Sequence, residues 1–165
     1  MPLLLLKVNR LSAVFWDVDG TLADTEMDGH RPAFNMAFQE LDLPFVWDEA
    51  LYKRLLAIPG GLRRVKLHAE TCGVHLSQNQ LDQVRDRKRV HYLERVRQGH
   101  VHLRPGVKRL LQELNRAGVQ QWIVTSSGSA SVMTLLEQIQ KQIPSFDGVV
   151  TVSYTHLRAH ETKWH

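Results

Sequence analysis

The chain has 165 residues, enough for one domain with a core of its own or for part of a two-domain enzyme. Hydrophobic residues make up 43% and charged residues 23%, the proportions of a soluble globular protein rather than a disordered one. The net charge of +4, from 21 Lys+Arg against 17 Asp+Glu, suits a small anionic substrate and lacks the dense basic stripe of a nucleic-acid binder.

The opening MPLLLLKVNRL holds a run of only four leucines. A signal-peptide core needs about 7–15 apolar residues and a membrane span about 20, so neither a leader nor a membrane segment is expected. Ser12-Ala13-Val14-Phe15-Trp16 is a short apolar run that ends in Asp17 and a Gly-containing polar stretch, the pattern of a buried parallel strand opening into a loop. From Arg31 to Leu41 the residues Ala33, Phe34, Ala37, Phe38 and Leu41 recur at helical spacing, and Pro44 closes that helix. Two shorter helices are expected over 47–58 and 62–72, broken by Pro59-Gly60-Gly61 and ended by Gly73. Ser77 caps a long polar helix reaching about Gly99, with Leu81, Val84, Lys88, Tyr92 and Val96 as its inward stripe.

No strand pattern occurs between Gly29 and Gly99, so this block reads as an all-helical insertion. Pro105 is expected to start the next helix, whose apolar face is Val107, Leu110, Leu111 and Leu114 and whose stop is Gly118. Gln121-Trp122-Ile123-Val124 forms a second strand ending in Thr125-Ser126-Ser127-Gly128, a helix follows over 130–140, and 146–150 forms a third strand. Alternating strands and helices imply an α/β fold with a parallel, doubly wound sheet, in which ligands bind at the carboxyl ends of the strands.

Two carboxylates, Asp17 and Asp19, stand two residues apart straight after the first strand. Their repulsion favours a hard divalent cation, and Gly20 permits a tight turn. The stretch Asp17-Val18-Asp19-Gly20-Thr21 resembles the first signature of the haloacid-dehalogenase (HAD) superfamily. The resemblance implies a HAD-like, Rossmann-like core. It implies that Asp17 attacks phosphorus to form an aspartyl-phosphate, and that Asp19 protonates the leaving oxygen and then activates water. It also implies Mg²⁺ as cofactor, held by the Asp17 side chain and the Asp19 carbonyl. Dehalogenase relatives do not normally carry the second aspartate, so Asp19 argues for phosphoryl chemistry. The strand end at Thr125 resembles the second signature, which implies phosphate contacts from the Thr125 hydroxyl and the Ser126 N–H. Ser127 to Ser129 precede a helix amino end, a natural anion site, although Ser129 also reads simply as a helix cap.

Further phrases resemble the β-phosphoglucomutase-like group and, within it, the CbbY-type xylulose-1,5-bisphosphate phosphatases. They are Asp24-Thr25-Glu26, Asp28-Gly29-His30-Arg31, Phe34-Asn35, Gly60-Gly61 with Arg64, Lys88, and Leu103-Arg104-Pro105-Gly106. The implied substrate contacts are Glu26, His30, Arg31, Gly60, Gly61, Arg64, Lys88 and Ser127, and the implied partner is a phosphorylated sugar. Where that group usually reads Gly-Gly-Lys-Glu-Arg, this chain has Leu62 and Arg63 before Arg64, which puts bisphosphate specificity in question. Lys88 reads either as a substrate contact or as a snorkelling stem, and His30 and Arg31 either as functional or as a solvated helix start. A phosphosugar mutase and a non-catalytic phosphate-binding fragment remain alternatives to a phosphatase.

The basic residues Arg85, Arg87, Lys88, Arg89, Arg95 and Arg97 are diluted by Asp82, Asp86 and Glu94, and only Tyr92 among them offers stacking to a base. His68, His75, His91, His100 and His102 show no metal-ligand spacing, nor do His156, His160 and His165 beyond chance. Cys72 is the only cysteine, which fits a cytoplasmic compartment, or the plastid stroma in a photosynthetic eukaryote. Residues 152–165 do not resemble the family's continuation and look like translated adapter sequence, with a divergent terminus as the alternative. The expected layout is an incomplete core over 1–28 and 100–151, a helical cap over 29–99 and a non-native tail. The third-signature lysine and fourth-signature acids are expected to be missing, so the chain as given is expected to be a poor phosphatase.

Overall fold

The computed structural model describes residues 11–151. The leucine run and the tail lie outside the described residues. Three strands, β1 (Ala13–Trp16), β2 (Gln120–Thr125) and β3 (Gly148–Thr151), form one parallel sheet in the order β1-β2-β3. Ala13 pairs with Gln120 and Trp16 with Ile123, while Trp122 pairs with Gly148 and Thr125 with Thr151. This register brings the carboxyl ends of β1 and β2 side by side. Helices α5 (Val107–Arg116) and α6 (Ser129–Ile139) connect the strands. Val107 and Leu111 from α5, and Val132, Leu135 and Ile139 from α6, pack with Trp16 and Ile123 in one core.

The first strand is only half buried, which corrects the expectation of a fully buried parallel strand. Phe15 is 68% exposed, Val124 43% and Val150 53%, because no described element covers their side of the sheet. On the covered side the buried amide of Gln121 ties three elements together. It accepts from Trp16 Nε1 at 3.3 Å and donates to the Leu111 carbonyl at 3.0 Å.

Between β1 and α5 run a π-helical turn (Thr25–His30) and four helices: α1 (Arg31–Glu40), α2 (Glu49–Leu55), α3 (Gly61–Thr71) and α4 (Gln78–Arg97). They enclose a second apolar cluster built on Phe34, Phe38, Phe45, Trp47, Tyr52, Val65 and Val84. Asn35 fixes the loop after α1 by donating to the Trp47 carbonyl and accepting from its N–H, at 2.9 and 2.8 Å. Asp48 caps α2, and Ser77 and Gln80 form a reciprocal capping box on α4. The inward stripe of α4 falls as its periodicity predicts, with Leu81, Val84, Tyr92 and Val96 buried. No helix among the described residues is long and apolar enough to cross a membrane.

Helix α1 ends at Glu40, within a residue of its expected end, and Asp42 turns left-handed at φ 52° ahead of Pro44. One helix start differs from expectation. Helix α5 starts at Val107 rather than Pro105, because Gly106 sits at φ 86° and a left-handed residue cannot lie inside the first turn.

Candidate active site

Asp17 follows the last residue of β1, and the chain then folds back on itself. The N–H groups of Thr21, Leu22 and Ala23 all point to the Val18 carbonyl at 3.1–3.3 Å, and Gly20 N–H donates to Ala23 O at 2.9 Å. Gly20 adopts φ 72°, a conformation costly for any residue with a Cβ. Buried Val18 and Leu22 anchor this turn in the core while Asp17 and Asp19 face outward.

From the neighbouring strand end, Thr125 Oγ1 donates to Asp17 Oδ1 at 2.7 Å. Ser127 Oγ donates to Asp19 Oδ2, and Ser127 N–H reaches Thr125 Oγ1 at 3.2 Å. Two carboxylates and two hydroxyls therefore form one cluster at the carboxyl ends of β1 and β2. Ser126 is exposed and its side chain has no partner among the described residues, so Ser127 is the serine side chain in the cluster.

The helical block closes over this cluster. The π-turn carries Glu26 and His30, and such turns are rare enough that they often mark functional sites. His30 Nε2 lies 3.8 Å from Asp19 Oδ1, and its Nδ1 is 2.9 Å from Lys88 Nζ on α4. The His30 ring stacks on Tyr92 at 4.3 Å, and the Lys88 ammonium sits over Phe34 and Tyr92 at 5.1 and 5.2 Å. An ammonium can only donate, so this geometry assigns Nδ1 of His30 as acceptor and leaves its Nε2–H facing Asp19. Beside them Glu26 accepts from the Tyr52 hydroxyl at 2.6 Å, with Arg64 Nη1 at 4.0 Å from the same carboxylate oxygen. Arg64 is held in place by its Nε bond to the Ile58 carbonyl at 2.8 Å.

Burial dominates the electrostatics here. It holds the His30 imidazole well below the usual histidine range, reinforced by the Lys88 and Arg64 charges. It lowers Lys88 to about 8, against the opposing pull of Glu26 and Asp19. The Tyr52 and Tyr92 hydroxyls are pushed up by burial and then by neighbouring carboxylates, Glu26 for Tyr52 and Asp19 with Glu26 for Tyr92. Burial thus keeps the histidine neutral beside a lysine whose charged form is disfavoured relative to an exposed one.

Three sequence candidates fall elsewhere. Arg31 pairs with Glu49 at the start of α2 at 3.9 Å rather than with the carboxylate loop. Gly60 caps α3 at φ 87°. A Cβ on Gly61 would stand 3.0 Å from Phe34 Cζ, so this glycine permits close helix packing. Sequence reasoning placed Tyr92 on the buried stripe but missed it as a site residue, and it missed Tyr52. The four-residue step from Lys88 to Tyr92 was the available signal.

Among the described residues no three His, Cys, Asp or Glu side chains gather into a metal cage. The oxygen donors of the loop nonetheless fit Mg²⁺, which takes one or two carboxylates and completes its shell with water and substrate oxygens.

This parallel sheet, with a twin-carboxylate turn at one strand end, a hydroxyl at the next and a helical insertion facing both, defines a hydrolase fold class. The family model of the haloacid dehalogenase-like hydrolases matches residues 11–161. The chain belongs to that family. It is 41% identical over 133 residues to the plasmid-encoded protein CbbY of Cupriavidus necator, covering 77% of this chain and 52% of that protein. It is 36% identical over 127 residues to the protein CbbY of Rhodobacter capsulatus, covering 77% and 56%. The chain therefore spans about half the length of the curated relatives it matches. A solved structure of a mutant CbbY from Rhodobacter sphaeroides in complex with xylulose-1,5-bisphosphate superposes with a TM-score of 0.67. It is 27% identical and covers 86% of this chain and 64% of that one.

Proposed function

We propose that this chain carries the nucleophile half of a Mg²⁺-dependent phosphatase acting on a phosphorylated sugar. The observation that carries this reading is the bond from Thr125 Oγ1 to Asp17 Oδ1, which sets a hydroxyl donor beside a carboxylate at a strand end. Similarity to CbbY proteins, one of them solved with xylulose-1,5-bisphosphate, supports a sugar bisphosphate as the substrate class.

In this reading an Asp17 carboxylate oxygen attacks phosphorus, and the bond from phosphorus to the sugar oxygen breaks. Asp19 gives its proton to that leaving oxygen. Water then attacks the aspartyl-phosphate, Asp19 takes up the proton, and inorganic phosphate leaves with Asp17 restored. Thr125 and Ser127 donate to the oxygens on which charge builds. Asp17 and the Asp19 carbonyl would hold Mg²⁺, which screens the charge between nucleophile and substrate. His30, Lys88 and Arg64 offer the sugar portion donors from the helical side, where the Phe34 and Tyr92 rings flank Lys88.

Steady-state hydrolysis of a sugar bisphosphate with Mg²⁺, by this chain fused to the second half of its Cupriavidus relative, tests the reading. Asp17→Asn should abolish turnover with the fold intact, and Asp19→Asn should lower kcat by about 10²–10⁴. Wild-type rates in Asp17→Asn would refute the assignment.

A further inference from the structure

The outgoing and returning connections of the helical block lie against each other. Asp24 N–H donates to the His102 carbonyl at 3.0 Å, Ala23 and Leu103 form an antiparallel bridge, and Arg104 N–H donates to Leu22 O at 2.9 Å. The Arg104 side chain then reaches past this ladder. Its Nη1 donates to the Gly20 carbonyl at 2.7 Å, across 84 positions of sequence.

Gly20 is the residue that turns the chain directly after Asp19. Nothing lies within 4 Å of where its Cβ would be, so packing does not hold its left-handed conformation. Hydrogen bonds hold it instead. The Asp19–Gly20 peptide is tied by Gly20 N–H to Ala23 O, and the Gly20–Thr21 peptide by Arg104 on one side and Thr21 N–H to Val18 O on the other. Arg104 supplies the one charge-assisted bond of this set, and such bonds are roughly twice as strong as neutral ones. It also sits on the segment that returns from the helical block, so a shift of that block pulls on the turn.

We infer that Arg104 is a positioning residue for Asp19, clamping the Gly20 carbonyl from the returning linker so that the acid–base carboxylate keeps its aim. This rests on the phosphatase reading and extends it to a residue with no contact to either carboxylate. The role makes a specific kinetic demand. A mis-aimed acid slows expulsion of a poor leaving group, such as a sugar alkoxide. It matters little for p-nitrophenolate, which leaves without a proton, and the contrast is read in kcat/KM, because Asp19 also serves the later hydrolysis of the aspartyl-phosphate that both esters share.

The test compares Arg104→Ala and Arg104→Lys with wild type, as this chain and as its fusion to the second half of the Cupriavidus relative, on a sugar phosphate and on p-nitrophenyl phosphate, both with Mg²⁺. Arg104→Ala should lose about tenfold in kcat/KM on the sugar phosphate, less than the about 10²–10⁴ expected for losing the acid itself, with kcat/KM on p-nitrophenyl phosphate within about twofold. Arg104→Lys, which keeps one charged donor, should recover part of the loss. In parallel, ¹⁵N NMR of the same chains should show the Gly20 and Thr21 amides shifted and exchanging faster in Arg104→Ala, with the β2 and α4 amides unchanged. Equal losses in kcat/KM on both substrates, or unmoved Gly20 and Thr21 amides, would overturn the inference. A wild-type fusion that hydrolyses neither ester would instead count against the phosphatase reading, while the NMR comparison still decides the clamp.

Discussion

Replacing Gly29 by alanine should disturb the site without touching any of its polar groups. A Cβ at Gly29 would stand 2.7 Å from Tyr92 Cε2, 3.1 Å from Tyr92 Cδ2 and 3.2 Å from Val101 Cγ2. The first distance is below van der Waals contact, and the ring it meets is only 2% exposed, so the ring cannot swing clear into solvent. Overpacking of this kind costs about 1–3 kcal/mol. For a domain of this size that is a fall in Tm of roughly 2–12 °C. Tyr92 is also the surface on which His30 stacks and over which Lys88 lies, so its displacement should loosen the Lys88–His30–Asp19 line. Thermal unfolding followed by circular dichroism, with turnover measured in parallel, reads both effects. Because the clash is with one ring, Gly29→Ala should cost much less in a Tyr92→Ala background than in wild type. Additive losses in that cycle, or an unchanged Tm for the single variant, would refute the reasoning.

Thr125→Val keeps the volume of a side chain only 7% exposed while deleting the donor to Asp17, so kcat should fall about 10²–10³ with little change in fold. The readout is kcat against far-ultraviolet circular dichroism, and a fall under threefold would count against the donor role. Lys88 is charged below about 8 and neutral above it, so kcat/KM should decline as pH rises through that value. A pH–rate profile of Lys88→Gln should lack this limb. Between about 8 and the ordinary lysine value of 10.5 the unfolded chain holds a proton that the folded one has released. Lys88 therefore makes folding stability rise with pH across that window, and its cost to the fold is fully present below about 8. Phe15, Val124 and Val150 form an apolar sheet face that no described element covers, so the isolated chain should self-associate with rising concentration, and Phe15→Thr should lessen this in light scattering. A wild-type chain that stays monomeric at high concentration would contradict that expectation.

The polypeptide announces its strand ends more clearly than its contacts. Asp17 and Thr125 each close an apolar run, so a parallel sheet puts both at one edge, and the pairing of β1 with β2 makes them neighbours. Lys88 was legible as inward-facing because it falls on the stripe from Val84 to Tyr92, a spacing local to one helix. What escaped depends on residues far apart in sequence. The Arg104 bond to Gly20 spans 84 positions, and the close approach of Gly29 to Tyr92 joins a π-turn to α4. Arg31 looked like a site residue because it adjoins His30, yet one step along a helix turns the side chain away, toward Glu49. Phe15 looked buried because an apolar run does not say how many faces of its strand are covered.

The central claim is that Asp17 becomes phosphorylated. The direct measurement is an acid quench during turnover of a sugar bisphosphate with Mg²⁺, followed by peptide mass spectrometry across residues 11–31. It should be made on this chain and on its fusion to the second half of the Cupriavidus relative. The expected result is one phosphoryl group on Asp17, lost on treatment with hydroxylamine and absent from Asp17→Asn. Turnover with no label at Asp17, a label that persists in Asp17→Asn, or no label on either chain would contradict the account.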